Sequence, residues 1–384
     1  MYKIYNAISL IPEEEIELSA LEQIARVSKH PYLDAPFIIL PDVHAGEGAT
    51  IGSVIPLINF ISPSMIGYDI GCGIWCERLD FGHAPFDNIS LARLEDFIRT
   101  NIPLGFNHRT TVDGIGDFVY KTGQRFISET FEINEKYNLN ALLSLGTLGG
   151  GNHFIELTRG DDGFVYLLIH SGSRNIGHRI ASEYMEKAKT TAEYTNGLIP
   201  TGLGGFSEGD DDYDNYYEEY LYATSFAHQN RNIMAKLIIN YMAQEGLISG
   251  SLGWIDTPHN FLHVDIINSQ IIHYKGAINA FDSAIVAGSM GTNSYIVQST
   301  PEAQKIHWAC SHGAGRRFSR KQAKEILSVD DFKRMVRDVY GCQTDQNHID
   351  ESPMAYKDIE YVMESQGKTI VIKTKLTPFF NIKG

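Results

Sequence analysis

The sequence predicts a mixed α/β (α+β) fold, one continuous domain over residues 1–384. Three observations predict it. Short apolar runs broken by glycine and proline alternate with longer stretches whose apolar residues recur at helical spacing. No repeat of solenoid length and no long Ser/Pro/Gly linker divides the chain. Hydrophobic residues make up 43% of the chain and charged residues 21%, a globular composition with ample material for a core.

Taken in order, Tyr2–Ile8 predicts a short strand, and the acidic segment after it a helix with Ile16, Leu18, Leu21 and Ile24 as its apolar positions. Between Phe37 and Ile74 the apolar runs are short and separated by tight turns, as in successive strands. Residues 90–142 have helical patterning, interrupted by an irregular stretch around Gly105–Gly116. Strands resume at Phe154–Leu157 and Phe164–His170, and Ile176–Tyr194 predicts a helix. The acidic, tyrosine-rich Glu208–Tyr220 predicts a solvated loop or helix start, and Tyr220–Gln244 a long helix.

Composition narrows the functional classes. No run of ~18 apolar residues predicts a transmembrane helix, and the N-terminal segment lacks the apolar run and cleavage site of a secretory signal. Four cysteines (Cys72, Cys76, Cys310, Cys342) in 384 residues do not make a disulfide scaffold, so a reducing, cytoplasmic setting is expected. A net charge of −15 argues against bulk adhesion to nucleic acid. An enzyme of nucleic acid with this balance has to concentrate its positive charge locally. The run after His312 (Arg316, Arg317, Arg320, Lys321, Lys324) is such a place.

The chemistry-bearing residues cluster in short blocks. These are PDVHAGEGATIGSVIP (Pro41–Pro56), GYDIGCG (Gly67–Gly73), LGTLGGGNHFIEL (Leu145–Leu157) and IHSGSRNIGH (Ile169–His178). Further along come PHNFLH (Pro258–His263), GSMGTNSYIV (Gly288–Val297), SHGAGRRFSR (Ser311–Arg320) and ESPMAYKDI (Glu351–Ile359). Most set a His, Cys or Asp beside glycines, where backbone turns expose side chains and admit a ligand closely. Asp69 and Cys72, three apart in a Gly-bounded turn, can reach one centre. With His153, His170 and His259 they form a thiolate, carboxylate and imidazole set suited to one or two divalent cations, zinc as readily as manganese. A lone histidine near a glycine is more often packed or on the surface; the gathering of five such residues favours metal.

His312 has another context. A helix starting after Gly315 would set Arg316, Arg320 and Lys324 on one face beside its N-terminus, a seat for phosphate. An imidazole there can attack phosphorus; a basic surface helix is the plain alternative. Gly146–Asn152 lacks the dinucleotide-binding glycine spacing. Cys76 has no second cysteine pair with which to build a zinc ribbon and is expected to be a buried small hydrophobe.

In their order and spacing, these blocks resemble the RtcB family of RNA ligases from about Pro41 to Lys383-Gly384. The resemblance implies a single RtcB-like domain with mixed sheets around a dinuclear metal centre. It implies two Mn(II) ions bridged by Cys72, with Asp69, His153, His170 and His259 as further ligands. His312 would take GMP from GTP as a phosphoramidate, with Asn152, Glu156, Ser294, Ala314, Tyr356 and Lys383 lining the guanylate pocket. Arg174 and Arg316 would contact phosphate or RNA, with Asp42 and His44 in support. The implied partner is RNA bearing 3′-phosphate or 2′,3′-cyclic phosphate ends and 5′-hydroxyl ends, joined through an RNA(3′)pp(5′)G end in tRNA splicing or RNA repair. The alternative is an enzyme that only opens cyclic phosphates or caps 3′ ends with GMP. Glu47, where the family usually has lysine, and Ala287, where it has proline, depart from the pattern and bear on the choice of RNA.

Overall fold

The computed structural model describes residues 1–81, 86–105, 107, 109–111, 116–129 and 135–384. The N-terminal segment forms β1 (Tyr2–Ile4) and β2 (Ala7–Ser9), an antiparallel pair turning at Tyr5 with φ 51°, where one strand was expected. Helix α1 (Leu18–Val27) buries Ala20, Ile24 and Val27; Leu18, expected on its apolar face, is 73% exposed, and Ile16 is buried ahead of the helix. Strands β3 (Phe37–His44), β4 (Ile51–Ile58), β5 (Phe60–Ile61) and β6 (Gly73–Asp80) follow.

The helical stretch supplies α2 (Asn88–Asn101), α3 (Asp117–Glu129) and α4 (Glu135–Ser144). Residues 106, 108 and 112–115 of the irregular stretch lie outside the described residues. After β7 (Phe154–Gly160) and β8 (Val165–Ser171) come α5 (Arg174–Ala188) and α6 (Ala192–Thr195). The single helix expected over Ile176–Tyr194 is therefore broken. The Thr190 and Thr191 hydroxyls donate to the Lys187 and Ala188 carbonyls, competing with the helical ladder.

A short β9 (Phe206–Ser207) leads into α7 (Asp211–Gln244). Strands β10 (Gly250–Pro258), β11 (Asn260–Asp265), β12 (Gln270–Lys275) and β13 (Ala277–Asn279) come next. They are followed by β14 (Ala284–Val286), β15 (Ser294–Ser299) and β16 (Ala309–Ser311). Three short helices, α8 (Arg320–Ile326), α9 (Val329–Met335) and α10 (Ile359–Ser365), precede the closing strand β17 (Ile370–Lys383).

The strands make a six-stranded sheet in the order β1-β2-β3-β4-β12-β11 and a seven-stranded sheet in the order β10-β6-β8-β7-β17-β15-β14. The pair β2–β3 is parallel and the rest of both sheets antiparallel, so the fold is mixed α/β as predicted. Helix α7 braces the site from behind. It starts at acidic Asp211, Asp212 and Asp214, favourable at the positive end of the helix dipole. Tyr216, Tyr220, Ala223, Ala227, Asn230, Met234, Ile238 and Met242, spaced three or four apart, are all buried. The segment Glu208–Tyr220 is thus a helix start with Tyr216 and Tyr220 in the core and Tyr213 and Tyr217 half-buried against it, while its exposed acids match the expected solvated surface.

Candidate active site

Antiparallel order decides which residues meet. In the run β10-β6-β8-β7-β17 the starts of β6 and β7 and the ends of β8, β10 and β17 share one edge of the sheet. The register pairs Pro258 with Gly73, Ile74 with His170, His170 with Phe154, and Phe154 with Lys383. Cys72 precedes β6, His153 precedes β7, His170 ends β8 and His259 follows β10, so residues far apart in sequence face one another.

The Asp69–Cys72 turn is closed by the Cys72 N–H donating to the Asp69 carbonyl at 3.1 Å. Gly71 takes φ +70°, and a Cβ there would lie 2.9 Å from the Thr224 backbone of α7, so only glycine lets the turn pack. Cys72 Sγ lies 3.4 Å from His153 Nε2 and 3.3 Å from His170 Nε2, and His153 Nε2 lies 3.1 Å from Asp69 Oδ2. Cys72–His170–His259 and Asp69–Cys72–His153 each bring one ligand atom per residue within 4.8 Å of the others. Cys72 belongs to both groups, so the two candidate ion seats adjoin and share its sulfur.

The donors suit divalent cations. His153 Nδ1 lies 3.0 Å from the Leu148 carbonyl; donating there leaves the Nε2 lone pair facing Cys72 and Asp69. Burial, reinforced by neighbouring imidazoles, pushes the His170 and His259 pKa values well below the usual range, so both rings are neutral and their lone pairs available to a cation. His259 Nδ1 is buried with no hydrogen-bond partner among the described residues. Burial pushes the Asp69 carboxyl up, but His153, Cys72 and Arg174 outweigh it and hold it at about 2. Burial, with Asp69, raises the Cys72 thiol; a bound cation is what draws such a thiol to the thiolate.

His312 comes from the other side. It follows β16, paired with β13, and meets Asp42 on β3. Asp42 Oδ2 lies 2.7 Å from His312 Nδ1 and accepts the His312 backbone N–H at 3.1 Å. The His312 ring lies 4.9 Å from the His259 ring. Gly315, at φ +70°, packs where a Cβ would collide with the Asp42 backbone, so the SHGAGR loop sits directly on β3.

A cavity of about 380 Å³ joins these groups, lined by Asp69, Cys72, His170, His259 and His312. Of the residues expected at the guanylate pocket, Asn152, Glu156, Ala314, Tyr356 and Lys383 line the same cavity. Ser294 is not on its wall; its hydroxyl accepts the Gly288 N–H at 3.0 Å and shapes the loop that is. Arg316 lines the cavity, whereas Arg174 is turned onto Thr147 Oγ1 at 3.2 Å. His44 is on the wall, with Nδ1 2.9 Å from the Asp42 carbonyl. Cys76 is buried, as expected.

The basic helix face is corrected. Helix α8 starts at Arg320 because Ser319 caps it through a capping box with Gln322, so Arg316 lies outside the helix. The cations there are also partnered: Arg316 and Arg320 reach Glu351 at 3.4 and 2.5 Å, and Arg320 and Lys324 reach Asp350 at 2.7 and 3.5 Å. Sequence reasoning did not single out Glu351, which also pairs with Lys383 at 3.0 Å and accepts from Tyr356 Oη at 2.5 Å. Burial would raise its pKa, yet Lys383, Arg320, Tyr356 and Arg316 hold it at about 2. Asn381 was missed too; it donates to Glu156 at 2.7 Å. The available signals were the acid opening the ESPMAYKDI block and the two-residue spacing from Lys383 along β17.

The family model described as tRNA-splicing ligase RtcB matches residues 23–384. The chain belongs to the RtcB family. It is 32% identical over 395 residues to RNA-splicing ligase RtcB1 of Escherichia coli, covering 96% of this chain and 95% of that protein. RNA-splicing ligase RtcB of Escherichia coli strain K12 is 32% identical over 393 residues, with the same coverage. tRNA-splicing ligase RtcB of Nanoarchaeum equitans is 27% identical over 459 residues, covering all of this chain and 95% of that protein. Among the described residues of this RtcB-family chain, no helix is long and apolar enough to cross a membrane.

Proposed function

We propose that this chain is an RNA ligase that uses GTP and Mn(II) to join RNA 3′-phosphate or 2′,3′-cyclic phosphate ends to 5′-hydroxyl ends, with His312 carrying GMP. The observation that carries the reading is the placement of His312, its Nδ1 2.7 Å from Asp42, in one cavity with both candidate ion seats. Donation of Nδ1–H to Asp42 leaves the Nε2 lone pair to attack the α-phosphorus of GTP; the N–P bond forms and pyrophosphate leaves. Divalent ions held by Asp69, Cys72, His153, His170 and His259 would supply charge neutralisation on the phosphates. Asn152, Glu156, Ala314, Tyr356 and Lys383 hold the guanylate. Arg316 and Lys383 line the cavity beside it, each paired with buried Glu351 behind them. GMP then passes from His312 to the RNA 3′-phosphate, and the 5′-hydroxyl displaces it as the strands join, work done mainly by positioning and charge.

Incubation with α-labelled GTP and Mn(II) tests this. Wild type should acquire an acid-labile label and seal suitable RNA ends, and His312→Ala should do neither while remaining folded. Label retained by His312→Ala sinks the assignment of the nucleophile; GMP-capped RNA that is never joined establishes the capping alternative.

A further inference from the structure

A second compartment of about 200 Å³ adjoins the cavity described above, and Glu47 and Tyr68 line both. None of the guanylate residues named above lines the second compartment; its wall includes Ser64, Ser182, Glu186 and Lys189. At the junction the Tyr68 ring, 38% exposed, stacks on exposed His178 with centroids 4.8 Å apart and planes 19° apart. Tyr68 is the residue immediately before Asp69, so this aromatic pair stands at the rim of the candidate ion seats.

We propose that the compartment is a subsite for one unstacked terminal nucleobase of the RNA at the junction being joined, stacked on the Tyr68–His178 platform. The inference rests on the reading of the chain as an RNA ligase and adds where the RNA end lies. Two observations favour a base over a backbone phosphate. Glu47 is exposed at the junction and Glu186 lies on the wall, while the wall lysine, Lys189, is already paired with Glu186 at 2.5 Å. The nearby Lys275 ammonium is spent on the Glu47 and Ser64 carbonyls. Carboxylates repel phosphate but accept hydrogen bonds from base amino and imino groups. In size the compartment falls below the ~300–1,000 Å³ of a whole-ligand pocket, which suits a single flat group. RNA ends are generally read in this way, by splaying a base onto aromatic rings.

The test is a binding cycle between protein and RNA. Affinities are measured for single-stranded RNA with and without a base at its terminal nucleotide, in one arm at a 3′-phosphate end and in the other at a 5′-hydroxyl end. Wild type, Tyr68→Ala and Tyr68→Phe are compared. In one arm, removing the base and Tyr68→Ala should each weaken binding roughly tenfold, and the two together no more than either alone. Tyr68→Phe should retain wild-type affinity. Additive losses in both arms, or full affinity in Tyr68→Ala, would overturn the subsite. Joining by wild type is followed in parallel: intact joining with additive losses removes only the subsite, whereas failure of wild type to join RNA removes the reading beneath it.

Discussion

In the proposed reaction, Asp42 selects the nitrogen of His312 that reacts. With Oδ2 accepting a hydrogen bond from Nδ1–H, the lone pair left for attack sits on Nε2. An amide at that position can donate to Nδ1 and force the proton onto Nε2. Asp42→Asn should therefore cut the rate of GMP attachment by on the order of 10⁴-fold with the fold intact, the size of the effect when a catalytic histidine is held in the wrong tautomer. An unchanged rate of attachment would remove the positioning role. Glu156 yields a pH prediction. Burial, partly offset by Asn381 and Lys383, raises its carboxyl to about 8. A guanine edge donating to Glu156 requires the carboxylate, so binding below pH 8 must release a proton. Guanylate affinity should rise as pH increases from 6 to 8 and level off above, and Glu156→Gln should flatten the profile; a flat wild-type profile contradicts the contact. The metal-ligand candidates were legible because Asp69, Cys72, His153 and His170 sit in short glycine-bearing blocks and His259 in the compact PHNFLH block. The groups that set the electrostatics of His312 and the guanylate residues were less so. Asp42 entered only as a supporting residue implied by the resemblance, and Glu351 and Asn381 not at all. Their contacts with His312, Lys383 and Glu156 span 270, 32 and 225 residues, which no local pattern encodes.

The turn bearing Asp350 and Glu351 ties α8 to the end of β17, through Arg320 and Lys324 on one side and Lys383 on the other. With Glu351 held at about 2 against an ordinary 4.5, the folded state binds fewer protons there than the unfolded chain between those values. The resulting stability is present above pH 4.5 and is lost as pH falls toward 2. A carboxyl moved from 4.5 to about 2 contributes roughly 3 kcal/mol. Glu351→Gln, which keeps the shape and removes the charge, should lower stability by about that amount at pH 7. The gap in denaturation midpoint between variant and wild type should narrow by pH 3, and a gap of equal size at both pH values would count against the charge network. Elements differ in how far sequence foretells them. The strands between Phe37 and Ile74 and those of β7 and β8 followed from short apolar runs, and the body of α7 from the helix read over Tyr220–Gln244, whereas the strands after residue 245 were not read one by one. The break after α5 and the burial of Tyr216 and Tyr220 at the start of α7 did not follow, because threonine hydroxyl bonding and tyrosine burial depend on what packs nearby. The α8 boundary was misplaced because the Ser319–Gln322 capping box outweighs the helical spacing of the basic residues.

At the scale of the molecule, the candidate donors lie at the ends of strands β6, β7, β8 and β10, spread from residue 69 to residue 259. Until they are cross-linked, what holds them together is the sheet ladder and α7. From α7, Arg231 pairs with Asp256 at 2.7 Å and donates to the Gly71 and Ser171 carbonyls at 2.8 Å, beside Cys72 and His170. Ions seated there bind the folded chain and find no such preformed cage in the unfolded one, so metal binding must appear as added stability. At a free ion concentration a hundredfold above the dissociation constant the gain is about 2.7 kcal/mol, which in a large chain raises the melting temperature by only a few degrees. Soft thiolate and imidazole donors should favour Mn(II) over Mg(II). The melting temperature of wild type should therefore be higher with Mn(II) than with a chelator, and Mg(II) should give a smaller rise. Cys72→Ala removes the atom common to both seats and should abolish the difference between Mn(II) and chelator. If Cys72→Ala is stabilised by Mn(II) as much as wild type, the ions bind elsewhere, and the two seats beside His312 are not where this chain holds metal.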